Sequence, residues 1–190
     1  VSEFGYHPGT DPTTTDNISS NVIWAKATSL PSAGDLTTIS VFCKIRAGTP
    51  TIKVAIYSDN AGVPGTLLAD SGATVGTPAA GLAYVTVACS FTLVASTQYW
   101  FAVIVPLGLT PTLDVDWGFD TNGSLTEGYF KVNGGSPGNT TFLANGSGAS
   151  GFANERFAVY GTYTPAGGGD LSALIGEPIT GSSQIEGGLR

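Results

Sequence analysis

Methionine is absent from these 190 residues, histidine occurs once and cysteine only twice. So few soft ligands exclude the His- and Cys-rich metal centres and the disulfide-dense small scaffolds. Charge is scarce too: Lys+Arg number 7 against Asp+Glu 14, a formal net charge of −7 in a chain only 11% charged. Nucleic acid and anionic membrane surfaces demand clustered Lys and Arg, so neither is expected as a partner. No apolar run is long enough to cross a bilayer, the longest, Tyr99 to Leu109, being interrupted by Pro106 and Gly108. A basic stretch leading into an apolar one, as in a secretion signal, is not seen. A start at Val1 without Met reads as a processed form or a partial sequence.

What is plentiful is glycine, at 27 positions, together with Ser, Thr and apolar residues, the last making up 42% of the chain. The mean hydropathy is +0.19. Positive hydropathy with little charge and no membrane-length run implies apolar surface covered by a partner. Scarcity of Lys and Glu fits an extracellular, cell-surface or virion-surface setting better than the cytosol.

The hydrophobic pattern has the period of two that marks half-buried strands. Thr38 to Arg46 places Ile39, Val41, Cys43 and Ile45 on one face. Thr51 to Ser58 repeats this with Ile52, Val54 and Ile56, and Tyr84 to Leu93 with Val85, Val87, Cys89, Phe91 and Leu93. Gln98 to Val105 is apolar on both faces, as a central strand covered on each side would be. Thr112 to Asp120 alternates strictly, and Asn21 to Ser29, Glu127 to Val132, Thr140 to Ala144 and Glu155 to Tyr163 are further expected strands. Gly- and Pro-rich turns separate them, including Ser58 to Gly65, where Pro64-Gly65 suits a type II turn. No segment has helical spacing, so the expected fold is all-β: an antiparallel β-sandwich of jelly-roll type over residues 1–165. Residues 166–170 then read as a Gly-rich joint and 171–190 as an extended tail, too short and Gly-rich to fold alone.

Several stretches resemble a known module. They are Phe4-Gly5-Tyr6, Leu30-Pro31 with Leu36 to Val41, Tyr99-Trp100-Phe101 and Tyr160 to Tyr163. The most specific is Tyr57-Ser58-Asp59-Asn60-Ala61-Gly62-Val63-Pro64-Gly65-Thr66-Leu67-Leu68. Together they are similar to a jelly-roll-like β-sandwich module of secreted and surface-displayed bacterial and archaeal proteins, over roughly residues 4–164. The resemblance implies an extracellular structural or adhesive role and supplies no catalytic residues.

No constellation points to catalysis, and a non-enzymatic role is expected. His7 precedes Pro8 without a nucleophile near it in sequence and reads as a surface residue. Glu127, Glu155 and the aspartates are available, but no spacing singles out the facing carboxylates of a glycosidase. Asp114, Asp116 and Asp120 share one face of a strand, either solvated or bridged by Ca²⁺, a cation that takes hard oxygen ligands. Asn122 and the Asp59-Asn60 turn are conceivable further ligands. Cys43 and Cys89 both face inward and would form a disulfide or pack as two apolar thiols. Sequons at Asn17, Asn122, Asn139 and Asn145 are candidate glycosylation sites. Trp24, Trp100, Trp117, Tyr57 and Tyr129 are the aromatic candidates for stacking on surface glycans, with Trp24 and Tyr57 expected to be the exposed ones.

The expected function is that of a structural subunit joined to copies of itself, as a filament, sheath or virion surface. Its tail would dock on a neighbour by strand addition or in a groove, through Leu171, Leu174, Ile175, Ile179, Ile185 and Leu189. The alternative is a carbohydrate-binding or adhesion module.

Overall fold

A computed structural model describes residues 1–17, 21–106, 114–121, 127–132, 141–152 and 154–167. The expected docking segment 171–190 lies outside the described residues, as do Asn122 and Asn139. The described strands are β1 (Ser2–Tyr6), β2 (Thr14–Asn17), β3 (Asn21–Lys26), β4 (Gly34–Ala47), β5 (Lys53–Asn60), β6 (Val63–Asp70) and β7 (Ala83–Leu93). They continue with β8 (Tyr99–Ile104), β9 (Asp114–Thr121), β10 (Gly128–Val132), β11 (Ser150–Phe152), β12 (Glu155–Phe157) and β13 (Val159–Pro165). All are antiparallel and form two sheets, the expected β-sandwich. The seven-stranded sheet runs β1-β13-β4-β9-β12, with β2 added to β9 and β7 to β4, and the six-stranded sheet runs β11-β10-β3-β8-β5-β6.

Alternation explains the packing. From β4, Ile39, Val41 and Cys43 point between the sheets, meeting Val54 and Ile56 of β5, Phe101 and Val103 of β8, and Trp117 of β9. Each large apolar side chain buried here contributes about 1.5–3 kcal/mol. β8 is buried at every position. Its other face, Trp100, Ala102 and Ile104, belongs to a second cluster with Val22, Trp24, Tyr57 and Phe142 on the outer side of the six-stranded sheet. The sequence reading of β8 as a strand covered on both sides therefore holds.

Three expectations about elements need correction. Residues 141–144 do not form a strand but an irregular cap over the second cluster. Their carbonyls are taken singly, by the Tyr57 hydroxyl (to Leu143, 2.6 Å) and by the Leu67 N–H of β6 (to Ala144, 3.0 Å), without a continuous ladder. Glu155 to Tyr163 is two strands, not one. β12 pairs with β9 and β13 with β4, and the chain reverses between them at buried Ala158, where β9 leaves β4. Ala158 donates to the Gly118 carbonyl at 3.0 Å and accepts from the Phe42 N–H and the Trp117 indole, each at 3.1 Å. Finally, the 58–65 stretch is not all turn. Asn60 pairs with Val63, leaving a two-residue loop in which Ala61 (φ 54°) and Gly62 (φ 87°) both lie in the left-handed region, the pattern of a type I′ hairpin. Pro64 and Gly65 stand inside β6 instead.

Candidate functional site

The β5–β6 hairpin is the local framework of a cleft on the six-stranded sheet. Asp59 fixes it from within: one carboxylate oxygen accepts the Gly62 N–H at 3.0 Å, the other the Trp100 indole N–H at 2.8 Å. The Ser58 hydroxyl accepts the Thr66 N–H across the hairpin at 2.9 Å. Gly146 donates to the Gly65 carbonyl at 2.9 Å, and Asn145 bridges to Thr66. The approach is close enough that a Cβ on Gly146 would lie 2.5 Å from the Pro64 ring. Glycine is required there by proximity, not by conformation. The motif from Tyr57 to Leu68 thus holds a hairpin and its covering loop together.

Between hairpin and loop lies a cleft of about 620 Å³, lined among others by Asn60, Thr66, Tyr129, Asn145 and Ser147. Among its described lining residues there is no Lys, Arg or His. Asp59 is the one carboxylate among the described lining residues, and each of its oxygens accepts a hydrogen bond. Tyr129 packs edge-on against Trp100, with ring centroids 5.3 Å apart. Asn145 is exposed, and its side-chain oxygen accepts the Ser147 N–H at 3.0 Å, a local turn within its own sequon. At Asn17 the structure describes the backbone in β2 and not the side chain.

A second polar group occupies the outer face of the seven-stranded sheet. Tyr6 donates to Asp120 at 2.5 Å, and the Arg156 guanidinium stands 5.0 Å over its ring while pairing with Glu127 at 2.5 Å. Burial, then the bond to Asp120, pushes the Tyr6 hydroxyl up to about 12. His7 stacks on Tyr160 at 4.2 Å and meets the Glu3 carboxylate at 2.9 Å, an exposed position as expected.

Two members of the candidate acidic row have partners of their own. Asp116 lies 3.7 Å from Lys44 and 4.0 Å from Arg46 on β4, while Asp120 holds Tyr6. Asp114 begins β9, with its side chain outside the description. No group of three metal-ligating side chains occurs among the described residues. Glu127 and Glu155 do not face each other. Arg156, whose partner is Glu127, alternates with Glu155 along β12, so the two carboxylates belong to opposite faces. Burial, aided by Asp16, pushes Glu155 up to about 7, and one of its oxygens is buried without a partner.

One further expectation is overturned, and one open alternative is decided. Trp24 and Tyr57 are both 0% exposed, because residues 142–149 cover the outer face of the six-stranded sheet, so neither is open to a glycan. Cys43 and Cys89 are free thiols in the same sheet. Cys43 pairs with Ala83, which puts Cys89 six residues along β7 (83 to 89), about 20 Å away at strand spacing. A disulfide needs Cα atoms within roughly 7 Å. Burial instead pushes both thiols up to about 12.

No family model, no curated protein and no solved structure matches this chain.

Proposed function

We propose that this chain is a non-enzymatic structural subunit that assembles with copies of itself at an extracellular, cell or virion surface. The observation that carries this reading is β7. It spans 11 residues, pairs only with β4 among the described strands, and contains no charge and no proline. Natural proteins guard such borders with charges, prolines or bulges. Here a bulge opposite Thr37 guards only the far end, leaving Ala83 to Ala88 in regular register. Beside it, the 70–74 turn and Ala88 to Ser90 line a groove of about 280 Å³, and Val94, directly after the strand, is 61% exposed. Such a border accepts an added strand. The docking segment in this reading is the C-terminal tail, residues 171–190, of a neighbouring copy, a head-to-tail contact that propagates. Membership of the surface-displayed jelly-roll module that Tyr57 to Leu68 resembles belongs to the same reading.

Deleting residues 168–190 tests it while keeping the Ala166 N–H bond to the Ala33 carbonyl, 2.8 Å long. Light scattering and electron microscopy should show assemblies for the full chain and monomers for the truncated one. A full chain that stays monomeric on concentration, or assemblies indifferent to the deletion, would overturn the proposal. A second reading, that of a carbohydrate-binding or adhesion module, is favoured by the cleft beside the hairpin.

A further inference from the structure

The cleft between the β5–β6 hairpin and residues 145–149 has walls fixed before any ligand arrives. Four bonds hold them: Ser58 with Thr66, Gly146 with Gly65, Leu67 with Ala144, and Tyr57 with Leu143. Its volume of about 620 Å³ falls in the range of small-molecule sites. Within it, the Tyr129 hydroxyl and the Asn60 amide make no hydrogen bond to any described residue, and the Asn145 amide nitrogen is likewise open. The Ser58 hydroxyl, already accepting from Thr66, retains its proton to donate.

The chemistry of these groups selects the ligand class. With no cation among the described lining residues, phosphate, sulfate and carboxylate groups would be desolvated against them without a counter-charge. Asp59 is held in place by Gly62 and Trp100, one on each oxygen, so this single carboxylate already serves as a wall strut and offers a metal ion no second carboxylate beside it among the described lining residues. What remains is a neutral set of amides and hydroxyls beside one aromatic ring and the apolar edges of Val63, Pro64 and Ala149. A sugar presents the complement: hydroxyls that donate and accept, and a face of C–H groups that packs on an aromatic ring. We infer that this cleft binds the end of a neutral oligosaccharide, with Tyr129 as the packing surface and Asn60, Asn145 and Ser58 as the hydrogen-bonding groups. The inference rests on the carbohydrate-binding reading and is independent of assembly.

The Trp100 indole N–H, bonded to Asp59 on the cleft wall, supplies a reporter, and the Trp117 indole, bonded to Ala158 elsewhere, supplies its control. Neutral oligomers of glucose, galactose, mannose and N-acetylglucosamine would be titrated into the ¹⁵N-labelled protein, with inorganic phosphate as the charged comparison. At least one neutral oligomer should move the Trp100 resonance and leave that of Trp117 in place, and phosphate should move neither. Loss of the ring in Tyr129→Ala should weaken binding about tenfold, the size of one aromatic packing interaction. Tyr129→Phe should retain most of the affinity, and Asn60→Ala, at the exposed hairpin end where the core is untouched, should also weaken binding, which separates loss of the site from damage to the fold. If an oligomer binds but leaves Trp100 unmoved and tolerates both Tyr129→Ala and Asn60→Ala, the site is wrong although the carbohydrate-binding reading stands. If no oligomer binds at millimolar concentration, that reading fails and the site with it.

Discussion

At the scale of single residues, Glu155 is the side chain least at ease in this fold. One oxygen is buried without a partner, and burial together with Asp16 moves its carboxyl from 4.5 up to about 7. A carboxyl whose folded pKa lies above the unfolded one binds its proton more tightly in the native state. Its contribution to stability is complete below the unfolded value and is lost as pH rises through the folded one. Between about pH 4.5 and 7 this residue therefore makes the protein less stable as the solution becomes more alkaline. Glu155→Gln keeps the shape and removes the charge. It should raise the melting temperature by a few degrees at pH 8 and leave it nearly unchanged at pH 4, where the native glutamate is already neutral. An equal gain at both pH values would show that ionisation is not the source of the strain. The cysteines illustrate the same point in reverse. Alternation correctly turns Cys43 and Cys89 inward, but their separation along the strands depends on the β4–β7 register, which no local pattern encodes.

At the scale of elements, the hairpin shows what alternation reveals and what it conceals. β4, β5 and β7 are legible because their inward face repeats an apolar residue every second position, with burial alternating along β7, and β8 is legible because it is apolar throughout and buried at every position. β6 is hidden because it begins Val63-Pro64-Gly65, residues that normally signal a turn. They are tolerated in a strand at the border of a sheet, where one row of N–H groups has no ladder to join. β1 and β2 are too short to show a period. The cleft was less visible still. Tyr129 can be named as an aromatic platform from its residue type alone. Its neighbours reach it only through contacts such as Thr66 with Asn145, nearly eighty positions apart. The turn itself carries a test. Ala61 sits at φ 54°, where a side chain crowds the following carbonyl and glycine does not. Ala61→Gly should stabilise the protein by about 1 kcal/mol in denaturant unfolding. A loss instead would mean that the hairpin tolerates this conformation without strain and that glycine only adds unfolded-state entropy.

At the scale of the whole molecule, two sheets close a common core and a cap closes a second one, yet among the described strands the border at β7 has β4 as its one neighbour. Its outward residues Thr86, Ala88, Ser90 and Thr92 are all exposed and uncharged, so an added strand meets neither like charge nor steric guard over the regular part. Ala88 is the position at which to place an obstacle. Thr86 donates or accepts a bond with Ser40 at 2.9 Å and Thr92 donates to Asp35 at 2.9 Å, whereas Ala88 makes no side-chain hydrogen bond. A lysine there leaves the monomer's own contacts intact, so its unfolding free energy should stay within about 0.5 kcal/mol of the parent. It also imposes the kind of charge with which natural edges discourage pairing. If neighbouring copies join on this border, Ala88→Lys should raise the concentration at which assemblies appear about tenfold, which corresponds to ~1.4 kcal/mol per contact. Sedimentation velocity across a dilution series would read that shift directly. Should assembly proceed at the parent concentration in Ala88→Lys while truncation at 168 abolishes it, the tail would still be the fastener. Its acceptor would then be a surface other than β7.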